Sequence, residues 1–156
     1  MPSTLYTIAP IVPYTEYLNL SYRPDLQLVV LRWLRDASLA ELKVAHQAAL
    51  ELALRHQVTN WFVDVRRRQA VNSNNTRWVA DDFLPQAALL LLPRILRVAY
   101  LTSPSRQHII DTTPEMYSTV ERAQGTSQPY LLRSFLDEAV AMAWLFEENK
   151  RTVPLI

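Results

Sequence analysis

The sequence predicts an α/β fold: a mostly parallel sheet of about five strands, with one antiparallel edge strand supplied by an N-terminal hairpin and helices as crossovers. Three observations lead there. Short apolar runs bounded by turn residues alternate with segments of helical period. Strands separated by helices need crossover connections, which are right-handed in nearly all cases and leave successive strands parallel. A chain of 156 residues, 49% apolar and 20% charged, has the size and composition of one soluble globular domain.

Residues 1–15 carry three prolines and no charge, the pattern of an extended arm. The domain proper spans 16–150, and 151–156 form a tail. YLNLSY (17–22) alternates large apolar with small polar side chains, as a half-buried strand does. Arg23, Pro24 and Asp25 supply turn chemistry before LQLVVLRWL (26–34), whose apolar centre suits a strand buried on both faces. SLAE (38–41) has the spacing of a capping box and starts a helix. Leu39, Leu42, Ala45, Ala49, Leu52 and His56 form its predicted inward stripe.

WFVDV (61–65) is a short apolar run suited to a buried parallel strand. Asn75 then caps a predicted helix that buries Trp78, Val79, Phe83 and Ala87, and Pro93 breaks the chain before the strand ILRVAYLT (95–102). Thr113 and Pro114 open another helix, with Gly125 as its stop. YLLRSF (130–135) is the last strand, and Asp137 precedes a final helix with Ala139, Val140, Ala143, Trp144 and Phe146 read as facing inward.

Composition excludes several functions. The chain has no cysteine, so disulfides, thiolate metal sites and cysteine nucleophiles are ruled out, in keeping with a reducing cytoplasm. One glycine against ten prolines cannot write a glycine-rich phosphate loop. A net charge of +1 argues against a nucleic-acid coat protein. The longest apolar run, Ala87 to Leu92, falls far short of the roughly 20 residues that span a bilayer. No secretory signal is read at the amino terminus, so a cytoplasmic location is expected.

The opening hairpin YLNLSYRPDLQLVVLRWL, the helix begun by SLAEL, the strand ending WFVDVR, the segment TRWVADDFLP and the closing SFLDEAVAMAWL together resemble the STAS-like family. That is the fold of bacterial anti-sigma-factor antagonists, and the likeness is to small standalone bacterial members without an assigned activity. The resemblance implies a noncatalytic interaction or regulatory module that binds a protein partner through the loop and helix after the third strand. The family's phosphorylated serine follows that strand, whereas here Asp64 is followed by Val65, Arg66, Arg67 and Arg68. Ser73 lies nine positions on from Asp64, too far to inherit the role.

The sharpest candidate site is the positive loop itself. Arg66, Arg67, Arg68 and Arg77, with Asn72 and Trp78, stand near the carboxyl end of a strand and the start of a helix. Ligands collect at that edge in open α/β sheets. The plainer reading is a set of solvated side chains with one paired to Asp64, Asp81 or Asp82. His46, His56 and His108 lack metal-ligand spacing and read as surface or boundary residues. Ser103, Ser105, His108 and Asp111 are close in sequence without a defined acid–base geometry. No catalytic residue, cofactor or metal is therefore expected. The expected partner is a protein such as a regulator, or a second copy of the chain. The alternative is a carrier or sensor of a small amphipathic anion or lipid, held in an apolar pocket with an arginine rim.

Overall fold

The computed structural model describes residues 16–147. The arm at 1–15 and the tail at 151–156 lie outside them. Strands β1 (Leu18–Arg23), β2 (Leu28–Trp33), β3 (Asn60–Asp64), β4 (Arg97–Leu101) and β5 (Leu131–Phe135) form one sheet in the order β1-β2-β3-β4-β5. β1 is antiparallel to β2, and every later pair is parallel. The α/β fold with one antiparallel edge strand is thus as the sequence predicts.

Helix α1 (Leu39–His56) starts on a complete capping box: Ser38 accepts from the N–H of Glu41, and the Glu41 carboxylate accepts from the N–H of Ser38. It ends on Gln57, held in the left-handed region at φ 55°, a position glycine usually fills. Between β3 and β4 run α2 (Ser73–Arg77), a wide π turn (Trp78–Phe83) and α3 (Leu84–Leu91). Pro85 explains the widening. It has no N–H to give to the preceding turn, and the N–H of Leu84 reaches back to Val79. Helices α4 (Pro104–Thr112) and α5 (Pro114–Ala123) join β4 to β5, and α6 (Glu138–Leu145) follows.

Because β2 to β5 are adjacent in sequence order, right-handed crossovers carry every connecting helix to the same face of the sheet. The larger core forms there, with α1 and the α2–α3 region packed on Leu31, Trp33, Trp61, Val63 and Val98. Fully burying an aromatic or aliphatic side chain of this size contributes about 1.5–3 kcal/mol. Helix α6 is not a crossover, and it covers the opposite face with Ala141 and Leu145 against Val30, Phe62, Ala99 and Phe135.

Several local expectations are corrected. The N-cap of α2 is Asn72, whose side chain accepts from the N–H groups of Asn74 and Asn75; Asn75 is buried and donates to Ala37 O at 3.1 Å. The inward stripe of α1 runs through Leu42, Ala45, His46, Ala49 and Ala53, leaving His56 exposed and stacked on Tyr22 at 4.1 Å. In α6, Ala139, Val140 and Ala143 point outward, as does Phe146 just after it. That helix is apolar almost all round, so its composition does not reveal its buried side. Helix α4 is an addition to the predicted order, opened by Ser103 as N-cap and Pro104 at the first helical position.

Candidate functional site

The carboxyl ends of β3, β4 and β5 point the same way, and the chain leaves each of them into a loop or helix. Side chains alternate across the sheet, so Tyr100 and Thr102 fall on the α1 face together with Val63 and Val65. Tyr100 pairs in register with Ser134, and Val98 with Leu132. These strand ends floor a cavity of about 90 Å³. Its walls are Asn75, Val79 and Ala80 from α2 and the π turn, Arg106 and Ile110 from α4, and Val120 from α5. Arg68 closes it from the loop after β3.

The turn after β3 separates the three adjacent arginines. Val65 continues the sheet by donating to Leu101 O at 2.9 Å, and the N–H of Arg68 returns to Val65 O at 3.1 Å. Arg66 folds back to the α6 side, where its guanidinium is 2.9 Å from Asp64 and 3.8 Å from Glu138. Arg32 joins the same carboxylates at 2.9 and 3.1 Å. Arg67 is exposed. Arg68 turns inward and is only 8% exposed. Farther along, Arg77 is exposed and 4.0 Å from Glu115. Asn72 is occupied as a helix cap. Trp78 packs on His46 and Phe83, each at 5.5 Å between ring centroids, with Lys43 over its ring. Of the residues picked from the sequence, Arg68 alone lines the cavity.

Arg68 and Arg106 are both more than nine-tenths buried, and among the described residues neither has a carboxylate within ion-pair distance. The Arg68 guanidinium lies over Trp33, and its buried Nε has no hydrogen-bond acceptor among the described residues. Arg106 donates from Nη1 to Ala70 O at 3.3 Å. The buried Thr102 hydroxyl beside them is also without a hydrogen-bond partner among the described residues. Burial pushes the Arg68 guanidinium below its ordinary value, with Tyr100 and Asp36 opposing. Burial and then the charge of Arg68 bring Arg106 down to about 10. Burial also raises the Tyr100 phenol, against the pull of both arginines.

Asp36 is the nearest compensating charge. Its carboxylate accepts from the N–H groups of Gln69 at 2.8 Å and Ala70 at 3.2 Å, so it is tied to the peptide segment whose carbonyl holds Arg106. Among the described residues the cavity lining contains no carboxylate, histidine or lysine. A buried cation without a partner is costly, and buried polar groups normally find acceptors. The arrangement therefore suits an anion whose oxygens take the arginine and threonine donors while its apolar part meets the surrounding aliphatic side chains.

His46 lies elsewhere in the same core. It is 3% exposed, contacts Leu42 O through Nδ1 at 2.8 Å, and is flanked by Trp33, Trp78 and Phe83. This corrects its reading as a surface or boundary residue. Among the described residues no group of three or more His, Asp or Glu side chains is placed to hold a metal ion, and no helix is long and apolar enough to cross a membrane.

Sequence reasoning missed Tyr100, Thr102, Arg106, Asn75 and Ser134 as cavity residues. A signal existed for two of them, since Val98, Tyr100 and Thr102 alternate along a strand whose carboxyl end meets the ligand edge. Arg106 carried no comparable signal, because its helix was not predicted. Compared with known proteins, the chain matches no family model and no curated sequence.

Proposed function

We propose that this protein is a noncatalytic binding module for a small amphipathic anion, taken into the cavity at the carboxyl ends of β3, β4 and β5. The observation that carries this reading is the pair of buried arginines, Arg68 and Arg106, lining one cavity without a carboxylate partner among the described residues. The aliphatic walls supply the complementary apolar contact, as in most small-molecule sites. The element order from hairpin to final helix is what supports placing the protein with STAS-like domains, and a regulatory or carrier role fits such a module. Native mass spectrometry of protein purified without refolding, together with thermal shifts on adding short alkyl carboxylates, phosphates and sulfonates, tests it. Retention of an anion, or stabilisation by one that is lost in Arg68→Met, supports the reading. No retained mass and no stabilisation by any anion removes it.

A second reading, contact with a protein partner or another copy through the helix after β3, is favoured by Leu89, Leu90 and Leu92. These are 62, 52 and 51% exposed along the end of α3 and just beyond it. Sedimentation of the full chain, with Leu90→Glu as the comparison, tests it: a complex that dissociates in the variant supports contact there, and a monomer in both removes the self-association.

A further inference from the structure

The geometry points to a tetrahedral dianion as the head group this cavity takes, the chemistry shared by phosphate monoesters and by free sulfate or phosphate. This rests on the proposed anion site and adds to it the charge and shape of the occupant. Charge comes first. Among the described residues the lining carries two cations, Arg68 and Arg106, and no carboxylate. Both residues are more than nine-tenths buried, so dissolved salt screens them little. Asp36 is exposed, lies outside the lining and is bound to the N–H groups of Gln69 and Ala70, so solvent weakens what it can offset. A monoanion would leave one buried guanidinium uncompensated, which is costly, whereas a dianion answers both.

Shape comes second. Arg68 reaches the cavity from the loop after β3, Tyr100 and Thr102 from the end of β4, and Arg106 from α4. The Arg68 Nε and the Thr102 hydroxyl are buried without partners among the described residues, and Arg106 engages Ala70 O through Nη1. The Tyr100 phenol, pushed up by burial, stays a neutral donor. Donors arriving from three elements suit three terminal oxygens on a tetrahedral centre better than the two coplanar oxygens of a carboxylate, and a guanidinium fork takes two such oxygens at once. A cavity of about 90 Å³ equals roughly three waters' share of liquid volume, which is the scale of one small oxyanion. The remainder of a larger ester would extend past the half-buried rim at Thr76 and Gln107.

The test compares methyl phosphate, methyl sulfate and inorganic sulfate on the full chain at pH 8 by titration calorimetry in a phosphate-free buffer. The two methyl esters have the same shape, and at that pH the phosphate is a dianion while the sulfate ester is a monoanion. Methyl phosphate is expected to bind about tenfold or more tightly than methyl sulfate. Inorganic sulfate separates the sources: binding as tight as that of methyl phosphate assigns the site to the free ion, and weaker binding assigns it to a monoester. In Arg106→Gln the cavity loses one cation, so methyl phosphate should weaken about tenfold or more and its advantage over methyl sulfate should shrink about threefold or more. Equal or tighter binding of methyl sulfate by the parent protein overturns the dianion assignment while leaving the anion site standing. Binding of none of the three overturns both. The parent comparison decides the matter even if the Arg106 variant does not fold.

Discussion

The guanidinium of Arg68 lies over the indole of Trp33, its central carbon 5.2 Å from the ring centroid. Trp33 is 1% exposed, so this cation is held against the core, not in the solvated loop its sequence neighbours suggest. A cation–π contact returns about 0.5–2 kcal/mol, which is less than the several kcal/mol needed to desolvate an unpaired charge. Without a counter-anion Arg68 is thus a net burden on the fold.

Arg68→Met should therefore raise the stability of ligand-free protein by about 1 kcal/mol or more, since methionine keeps the length and the aromatic contact without the charge. The same variant should no longer be stabilised by an added anion. Arg67→Ser, at an exposed position with no ion pair among the described residues, should stay within about 0.5 kcal/mol of the parent. Urea unfolding of the three proteins checks both statements. A clear loss of stability in Arg68→Met would make the arginine a structural element.

Asp64 is expected to behave in the opposite way. Its side chain is 9% exposed and takes hydrogen bonds from Arg32, from the Arg66 guanidinium and from the Arg66 N–H. Burial alone would raise its carboxyl, and these donors, Arg66 foremost, hold it below the ordinary value instead. Asp64→Asn leaves two guanidiniums facing each other with only the half-exposed Glu138 between them, and should cost about 2–4 kcal/mol. Because the folded carboxyl titrates below the unfolded one, its contribution is fully present above the unfolded value near 3.8 and is lost as pH falls through the folded value. Acid unfolding of the parent should accordingly be steep below pH 3.8, and shallower in the variant.

The fold was legible in the sequence because its strands are short, apolar and punctuated. Ser38 and Glu41 mark the start of α1, and Asp64 marks the end of β3. The face of each helix was less legible. In α6 an almost continuous apolar run hides the stripe through Ala141 and Leu145, and only the sheet order explains why that helix lies alone on its face. The candidate site was half legible: the positive loop drew attention to the strand end beside which the cavity lies, yet three adjacent arginines diverge at a turn whose hydrogen bonds no residue pattern announces. Arg68 meets Arg106 across 38 positions of sequence, a proximity that belongs to the crossover geometry and not to any local motif.

A third expectation concerns mild acid. Burial, followed by the charge of Arg68 and opposed by the Leu42 carbonyl, brings the His46 imidazole down to about 4 from 6.5. The unfolded chain then binds a proton that the folded protein refuses between those values, so stability is full above pH 6.5 and declines toward pH 4. The loss should reach about 3 kcal/mol at most. It precedes the Asp64 range, which separates the two. In His46→Phe the slope of the melting temperature between pH 6.5 and 4 should flatten, whatever the variant's absolute stability; an unchanged slope would place the titration elsewhere.

The last expectation ties ligand binding to protons. Arg106 is brought down to about 10 by burial and by Arg68, while its ordinary value is 12.5. An anion beside it restores the charged form, so the bound complex holds the proton to a higher pH than the empty protein does. At pH 7.5 both states are protonated, and an anion that stabilises the protein should bind with no net proton exchange. As pH rises through about 10, the empty site loses its proton and the complex keeps it, so binding should take up a fraction of a proton and weaken steadily. Calorimetry in two buffers of different ionisation enthalpy, at pH 7.5 and again near pH 10, measures the uptake directly, with circular dichroism confirming that the protein is folded at both. In Arg106→Gln the affinity should already be about tenfold or more weaker at pH 7.5 and the alkaline uptake should vanish. If uptake near pH 10 persists in that variant, the proton belongs to another group and Arg106 does not touch the anion.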